Sequence, residues 1–185
     1  MNLPGIYDTF NERWDCQTVW LYSDPHFGDE NLRAGIPERP SDLAQIQSIN
    51  SKVGRKDIII FLGDIGDVEC VKKIRGRKIL IAGNHDAGMS NYRDVFEEVY
   101  EGPLMIGEKL ILSHEPINTP WAFNLHGHIH EKDYTNDNYH YNCCADHIDY
   151  TPINFNQWLK EGHLKNIKSI HRATIDNATE RKNRK

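Results

Sequence analysis

An α/β fold built on mixed β-sheets is what this sequence predicts, and three observations point to it. Between residues 18 and 82, runs of buried strand character alternate with helix-like patterns. Beyond Asn91 the apolar runs become short and closely spaced. The strongest runs end in short polar clusters rich in glycine, histidine and carboxylate. Strand, helix, strand, helix, strand implies right-handed crossovers and a parallel sheet, while closely spaced runs imply antiparallel or mixed pairing.

The elements follow in order. Residues 1–17 carry no clear periodicity and receive no assignment. Residues 18–22 (Thr-Val-Trp-Leu-Tyr) are β-branched, aromatic and nearly continuous in apolar character, which reads as a buried strand. Ser41 is a helix cap before Leu43, Ile46, Ile49 and Val53, which recur at helical spacing until Gly54, giving a helix over 42–53. A second buried strand covers 57–62, a short helix spans 68–74 and ends at Gly76, and a third strand covers 78–82. A short helical stretch is expected over 91–98, then a hairpin of runs 104–106 and 109–112 turning at Gly107. Residues 122–125 and 139–143 read as further strands, and 154–160 as a late helix carrying Trp158. One domain over 1–165 with a polar, mildly basic tail over 166–185 is the expected organisation. A solvated helix or frayed end is the plainer reading of that tail, a phosphate-binding arm the other.

Composition narrows the function. The chain has 185 residues, long enough to bury a core without disulfides. A net charge of −5 and a pI near 6.0 do not describe a general duplex-binding protein, because phosphate-backbone affinity comes from clustered Lys and Arg. No basic start followed by an apolar stretch marks a secretory signal, and no apolar run reaches membrane-spanning length. Of four cysteines, Cys143 and Cys144 are adjacent, and Cys16 and Cys70 lack metal-ligand spacing, so a reducing, cytoplasmic setting is expected.

The clusters carry the chemistry. Asp24-Pro25-His26 follows the first strand, Gly63-Asp64 with Asp67 the second, and Gly83-Asn84-His85-Asp86 the third; Ser113-His114 and Gly127-His128-Ile129-His130 follow later ones. Singly, each has a plain alternative: a turn with a surface histidine, an Asx-type cap, a satisfied strand-end residue. An aspartate closing a fully buried strand, as Asp64 does, must face either water or a cation. His128 and His130 follow Gly127, whose backbone freedom lets the strand end in a loop there, so both can serve one site. Taken jointly, oxygen and imidazole donors at successive strand ends describe a crevice able to hold two metal ions.

As a set, Asp-x-His, Gly-Asp-x-x-Asp, Gly-Asn-His-Asp, a lone strand-end His and Gly-His-x-His resemble the calcineurin-like metallophosphoesterase superfamily. The resemblance spans 18 to about 155 and is nearest to the small single-domain bacterial and phage phosphoesterases, whose first motif also continues Phe-Gly, as Phe27-Gly28 does; Asn31 and the late Asp149-Tyr150-Thr151-Pro152 add to it. It implies a sandwich of mixed sheets flanked by helices. It also implies that Asp24, His26 and His130 hold one metal, that Asn84, His114 and His128 hold the second, and that Asp64 bridges them. The implied cofactor is a pair of divalent ions, Mn²⁺ foremost, with Fe, Zn²⁺ or Ni²⁺ as alternatives. The implied reaction is phosphoester hydrolysis by a hydroxide shared between the ions. His85 resembles the family's catalytic histidine and Asp67 the carboxylate that orients it.

Val68 stands where the superfamily's protein phosphatases carry a phosphate-gripping arginine, which disfavours a protein phosphatase. Arg33 could replace that contact, with Asn31 beside it as a second substrate candidate, although a solvated helix residue describes Arg33 equally well. Trp121 is a stacking wall or a packing residue, and His126 a partner of the ligand pair or a plain strand residue. A phosphodiester or nucleotide is the expected substrate. The runners-up are a nuclease acting on DNA or RNA ends, a phosphomonoesterase, and a scaffold without catalysis. No membrane partner and no extended nucleic-acid surface are expected, and the sequence does not set an oligomeric state.

Overall fold

The computed structural model describes residues 17–86, 88, 92–131, 133–168, 174 and 177–181. The expectations for residues 1–16 and for most of the tail lie outside the described residues. In chain order the elements are β1 (Val19–Tyr22), α1 (Glu30–Gly35), α2 (Asp42–Lys52), β2 (Ile58–Phe61), α3 (Val68–Val71), β3 (Arg77–Ile81), β4 (Glu98–Tyr100), β5 (Leu104–Ile106), β6 (Leu110–Leu112), β7 (Phe123–His126), β8 (His140–Asn142), β9 (Ile153–Asn154) and α4 (Phe155–Lys160). None of the described helices is long and apolar enough to cross a membrane.

Two mixed sheets result. The first has the order β4-β3-β2-β1-β9, parallel except for β9. The second has the order β5-β6-β7-β8, where β5 and β6 form the expected antiparallel hairpin and β6, β7 and β8 run parallel. Gly107 turns the hairpin with φ +61.

Strand alternation explains how the layers stack. Val19, Leu21, Ile58, Ile60, Ile79 and Ile81 point from the first sheet onto Leu110, Leu112, Phe123 and Leu125 of the second, with Phe155 and Trp158 of α4 closing one side. Tyr22, Ile59, Phe61 and Leu80 point the other way, onto Ile46, Ile49 and Val53 from α2 and its end, and onto Val71 and Ile74. A strand buried on both faces has to be apolar at every position, which is why Ile58 to Phe61 shows no polar alternation. Each such side chain contributes about 1.5–3 kcal/mol relative to an exposed position.

The helices begin where the sequence places caps. The Ser41 side chain accepts from Ala44 N–H to start α2, and Asn154 accepts from Gln157 N–H to start α4. Three elements went unanticipated. Asp29 caps the short α1, β9 is a two-residue strand, and the segment expected to be helical up to residue 98 instead ends in β4, which pairs with β3. Turns occupy its described part from Tyr92 to Val95, with Tyr92 and Phe96 packed under the first sheet.

The carboxyl ends of β1, β2 and β3 in one sheet and of β6 and β7 in the other open onto the same end of the sandwich. A bridge between Ser23 and Cys144 and the bond from Ala145 N–H to Ser23 O join the sheets there.

Candidate metal centre

Each polar cluster sits in a loop just past one of these strand ends, and the backbone is bent sharply to aim it. Asp24, His26, Asp64 and His128 all have positive φ (56°, 43°, 53° and 69°), a left-handed conformation that side-chain-bearing residues adopt only when the surroundings enforce it. Two glycines make room. A Cβ on Gly83 would collide with the Asp64 carboxylate and backbone, and one on Gly127 would collide with Ser23 and the Asp24 carboxylate. β7 ends at His126, so Gly127, His128 and His130 lie in the loop expected there.

Two groups of donors share Asp64, namely Asp24, His26 and Asp64, and Asp64, His114 and His128, and a third joins Asp24, His130 and Cys144, with the donor atoms of each group within 4.8 Å of one another. In the second group, His114 Nε2 lies 2.8 Å from Asn84 Oδ1, 3.4 Å from Asp64 Oδ2 and 3.1 Å from His128 Nδ1. Asn84 Oδ1 is 3.1 Å from His128 Nδ1. In the first, His26 Nε2 is 3.5 Å from Asp64 Oδ2, and His130 Nε2 is 3.6 Å from Asp24 Oδ1. Two donors bound at about 2.0–2.2 Å to one cation, at right or tetrahedral angles, stand about 3 to 3.5 Å apart. The spacings match that figure.

Hydrogen bonding settles which atoms are free to ligate. His114 Nδ1 lies 2.8 Å from Leu62 O, and a carbonyl only accepts, so Nδ1 carries the proton and Nε2 presents its lone pair. That lone pair faces Asn84 Oδ1 and Asp64 Oδ2, which only accept, and His128 Nδ1, a set that needs a proton or a cation among its members. Burial lowers the affinity of His114 for a proton, yet the bond to Asp64 and the charges of Asp24 and Asp64 win and raise its pKa to about 9. Asp64, 2% exposed, responds in kind: burial pushes its carboxyl up, but His114 and the His85 N–H, 2.9 Å from Oδ1, hold it below the usual range. Burial dominates at His26 and lowers its pKa against the pull of Asp64 and Asp24.

Asp24 gives the sharpest test of fit. It is 0% exposed; Oδ2 accepts from His128 N–H at 2.9 Å, but Oδ1 has no hydrogen-bond partner among the described residues. A buried carboxylate oxygen without a donor is strongly disfavoured unless a cation faces it. His26, His130 and Asp64 surround that oxygen's side of the site, and an oxygen-and-imidazole set of this kind suits Mn²⁺, Fe, Ni²⁺ or Zn²⁺. The residues present fit a pair of divalent ions.

Residues outside the donor set hold the loops. Asp86 ties the loop after β3 to the loop after β2: its carboxylate accepts from Asp64, Ile65 and Gly83 N–H and from the Tyr92 hydroxyl. His126 is a buried β7 residue whose Nδ1 donates to Gly127 O while Nε2 accepts from the Tyr134 hydroxyl; burial lowers its pKa to about 4. It braces the glycine that precedes the histidine pair. Cys144 Sγ lies 3.5 Å from His130 Nδ1 and within 4.8 Å of an Asp24 carboxylate oxygen, and burial pushes its thiol up.

Three expected positions make no bond to the donors among the described residues. Asp67 caps α3, its carboxylate accepting from Glu69 N–H and approaching Cys70 Sγ, and among the described residues it makes no bond to His85. Arg33 is engaged by Glu30 one turn back and by Asp42, which leaves its guanidinium tied to its own helix and the start of α2. Asn31 is an exposed residue of α1. His85 is at the mouth, exposed, its ring centroid 5.6 Å from that of His26. Trp121 is half-buried in the turn before β7. A cleft of about 300 Å³ adjoins the second group; Asn84, His114, Glu101, Glu115, Pro116 and Ile117 are among its walls.

No family model matches the chain, and no curated protein does. A solved structure does. The crystal structure of the protein of unknown function AQ665 from Aquifex aeolicus superposes with a TM-score of 0.65 at 24% identity, over 78% of this chain and 98% of that one. That likeness shows the fold alone.

Proposed function

We propose that the chain is a dinuclear metal-dependent phosphoesterase with a calcineurin-like fold, hydrolysing a small phosphodiester or a nucleotide phosphoester, with Mn²⁺ as its most effective ion. The observation that carries this reading is the membership of Asp64 in two donor groups, buried between two sets of imidazoles. Bound there, two cations would lower the pKa of a shared water and neutralise charge on a phosphoryl group.

The chain's own residues supply the rest. Asp24, His26 and His130 would orient one ion, and Asn84, His114 and His128 the other. His85, exposed at the mouth with its backbone N–H tied to Asp64, would give a proton to the departing ester oxygen. A water, its proton released to solvent, would add to phosphorus as the P–O ester bond breaks, the leaving oxygen would take the proton of His85, and solvent would return one to the imidazole. The cleft beside Asn84 and His114 would receive the leaving group.

The surroundings of the site favour a small substrate over a polynucleotide. Two carboxylates, Glu101 and Glu115, line the cleft, and Arg33 and Arg39 are both paired with acids, so no basic track among these residues leads away from the donors.

The test is an assay of metal-stripped protein with and without Mn²⁺ on a chromogenic diester, a cyclic nucleotide and a short oligonucleotide. Mn²⁺-dependent hydrolysis of the first two, with little on the third, is expected. No hydrolysis at saturating Mn²⁺ contradicts the proposal, and preference for the oligonucleotide replaces it with a nuclease.

A further inference from the structure

His130 has a partner behind it that none of the motifs includes. Its Nδ1 donates to Asp146 Oδ2 at 2.7 Å, and its Nε2 faces Asp24 Oδ1 at 3.6 Å. Asp146 is itself gripped. The Tyr150 hydroxyl donates to its other oxygen at 2.5 Å, and Arg39 pairs with Oδ2. Arg39 is 5% exposed, and its second nitrogen donates to the backbone carbonyls of Asp24 and Pro25. Tyr150 holds its position with φ +51, the same enforced conformation found at four of the donors.

These contacts run from the loop before α2 to the loop after β8, and through them to the loop carrying Asp24 and His26. A guanidinium and a carboxylate both withdrawn from water persist only with satisfied geometry, and here each has several partners. A carboxylate on the far nitrogen of a ligating imidazole fixes its tautomer and rotation and makes the near nitrogen a better donor. Among the described residues, no carboxylate hydrogen-bonds the far nitrogen of an imidazole in the other group: His114 Nδ1 donates to the neutral Leu62 carbonyl at 2.8 Å, and Asp24 Oδ1 comes no nearer to it than 3.9 Å.

We propose that Asp146, clamped by Arg39 and Tyr150, is a positioning residue that sets cation affinity at the Asp24, His26, Asp64 and His130 group without setting it at the other. This rests on the dinuclear reading above.

The experiment is a Mn²⁺ titration of the metal-stripped full-length chain by calorimetry, with electron paramagnetic resonance at two equivalents of ion. Wild type should bind two ions and give the spectrum of a spin-coupled pair. Asp146→Asn should weaken one binding step by about 10- to 100-fold and leave the other within about twofold. At two limiting equivalents its spectrum should shift to that of isolated ions. Because Asp146→Asn leaves Arg39 unpaired and could disturb folding, Tyr150→Phe provides a milder version: the same step weakens by a smaller factor. Asp137→Asn removes a carboxylate from a similar pair with His140, away from the donors, and should change neither step.

Unchanged affinities in both Asp146→Asn and Tyr150→Phe overturn the positioning role while leaving two bound ions in wild type. Equal weakening of both steps in Tyr150→Phe overturns it as well, since a general structural role would act on both. If wild type binds no second ion, the dinuclear reading itself has failed.

Discussion

The two donor groups share Asp64 and differ in what stands behind and in front of them. The Asp24, His26 and His130 side brings a second buried carboxylate and is backed by the clamped Asp146. The Asn84, His114 and His128 side adds a neutral amide in place of that carboxylate, rests on a backbone carbonyl, and opens onto a cleft. Cation affinity at oxygen-rich sites follows ligand charge and rigidity. Under the proposed function, the first group is the tight, permanent half of the centre and the second the half where an ion and a substrate meet.

Asp64→Ala breaks the comparison most thoroughly, because the residue belongs to both sides. Neither ion should then be held at stoichiometric concentrations, and turnover should fall further than in any other variant discussed; elemental analysis after gel filtration checks the first and a diesterase assay the second. Full occupancy in this variant would remove the shared ligand.

His85→Ala sharpens the contrast instead. His85 ligates neither ion in this account, so metal content should stay at two while turnover on esters with poor leaving groups drops by about 10² to 10⁴. An unchanged rate would take His85 out of the chemistry.

The smallest effect concerns the scaffold behind the histidine pair. The folded-state pKa of His126 is lowered to about 4, so the metal-free fold favours its neutral form. The stability tied to that form is fully present above the unfolded value near 6.5 and is lost as pH falls from there through about 4. Urea denaturation of the metal-free protein should show stability declining across that window, with a shallower decline in His126→Gln. Identical slopes would contradict the assignment.

How far the sequence carried this reading depends on distance along the chain. The donor clusters were legible because each is a local signal, an apolar strand run ending in glycine and a ligand, and parallel strands bring such ends together. Asp24, His26, Asp64, Asn84, His114, His128 and His130 all converge. The clamp was not legible, since Arg39 and Asp146 are 107 residues apart and neither sits in a motif.

Asp67 and Arg33 are engaged by local partners. Asp67 stands directly before Val68 and Glu69, where an aspartate side chain satisfies the first free N–H groups of a helix, and that bond is the one it makes. Arg33 lies three residues after Glu30 on one helix face, so the pairing is made before any phosphate arrives. The β4 strand was hidden because Val95, Phe96 and Val99 permit a helical reading until β3 supplies a partner.

The central claim is that two cations flank Asp64. Anomalous diffraction from crystals soaked in Mn²⁺ tests it most directly. The account predicts two peaks about 3.5 to 4 Å apart, one among Asp24, His26 and His130 and one among Asn84, His114 and His128, with the Asp64 carboxylate between them. A single peak at saturating Mn²⁺, or ions that leave Asp64 without a bond, would contradict it.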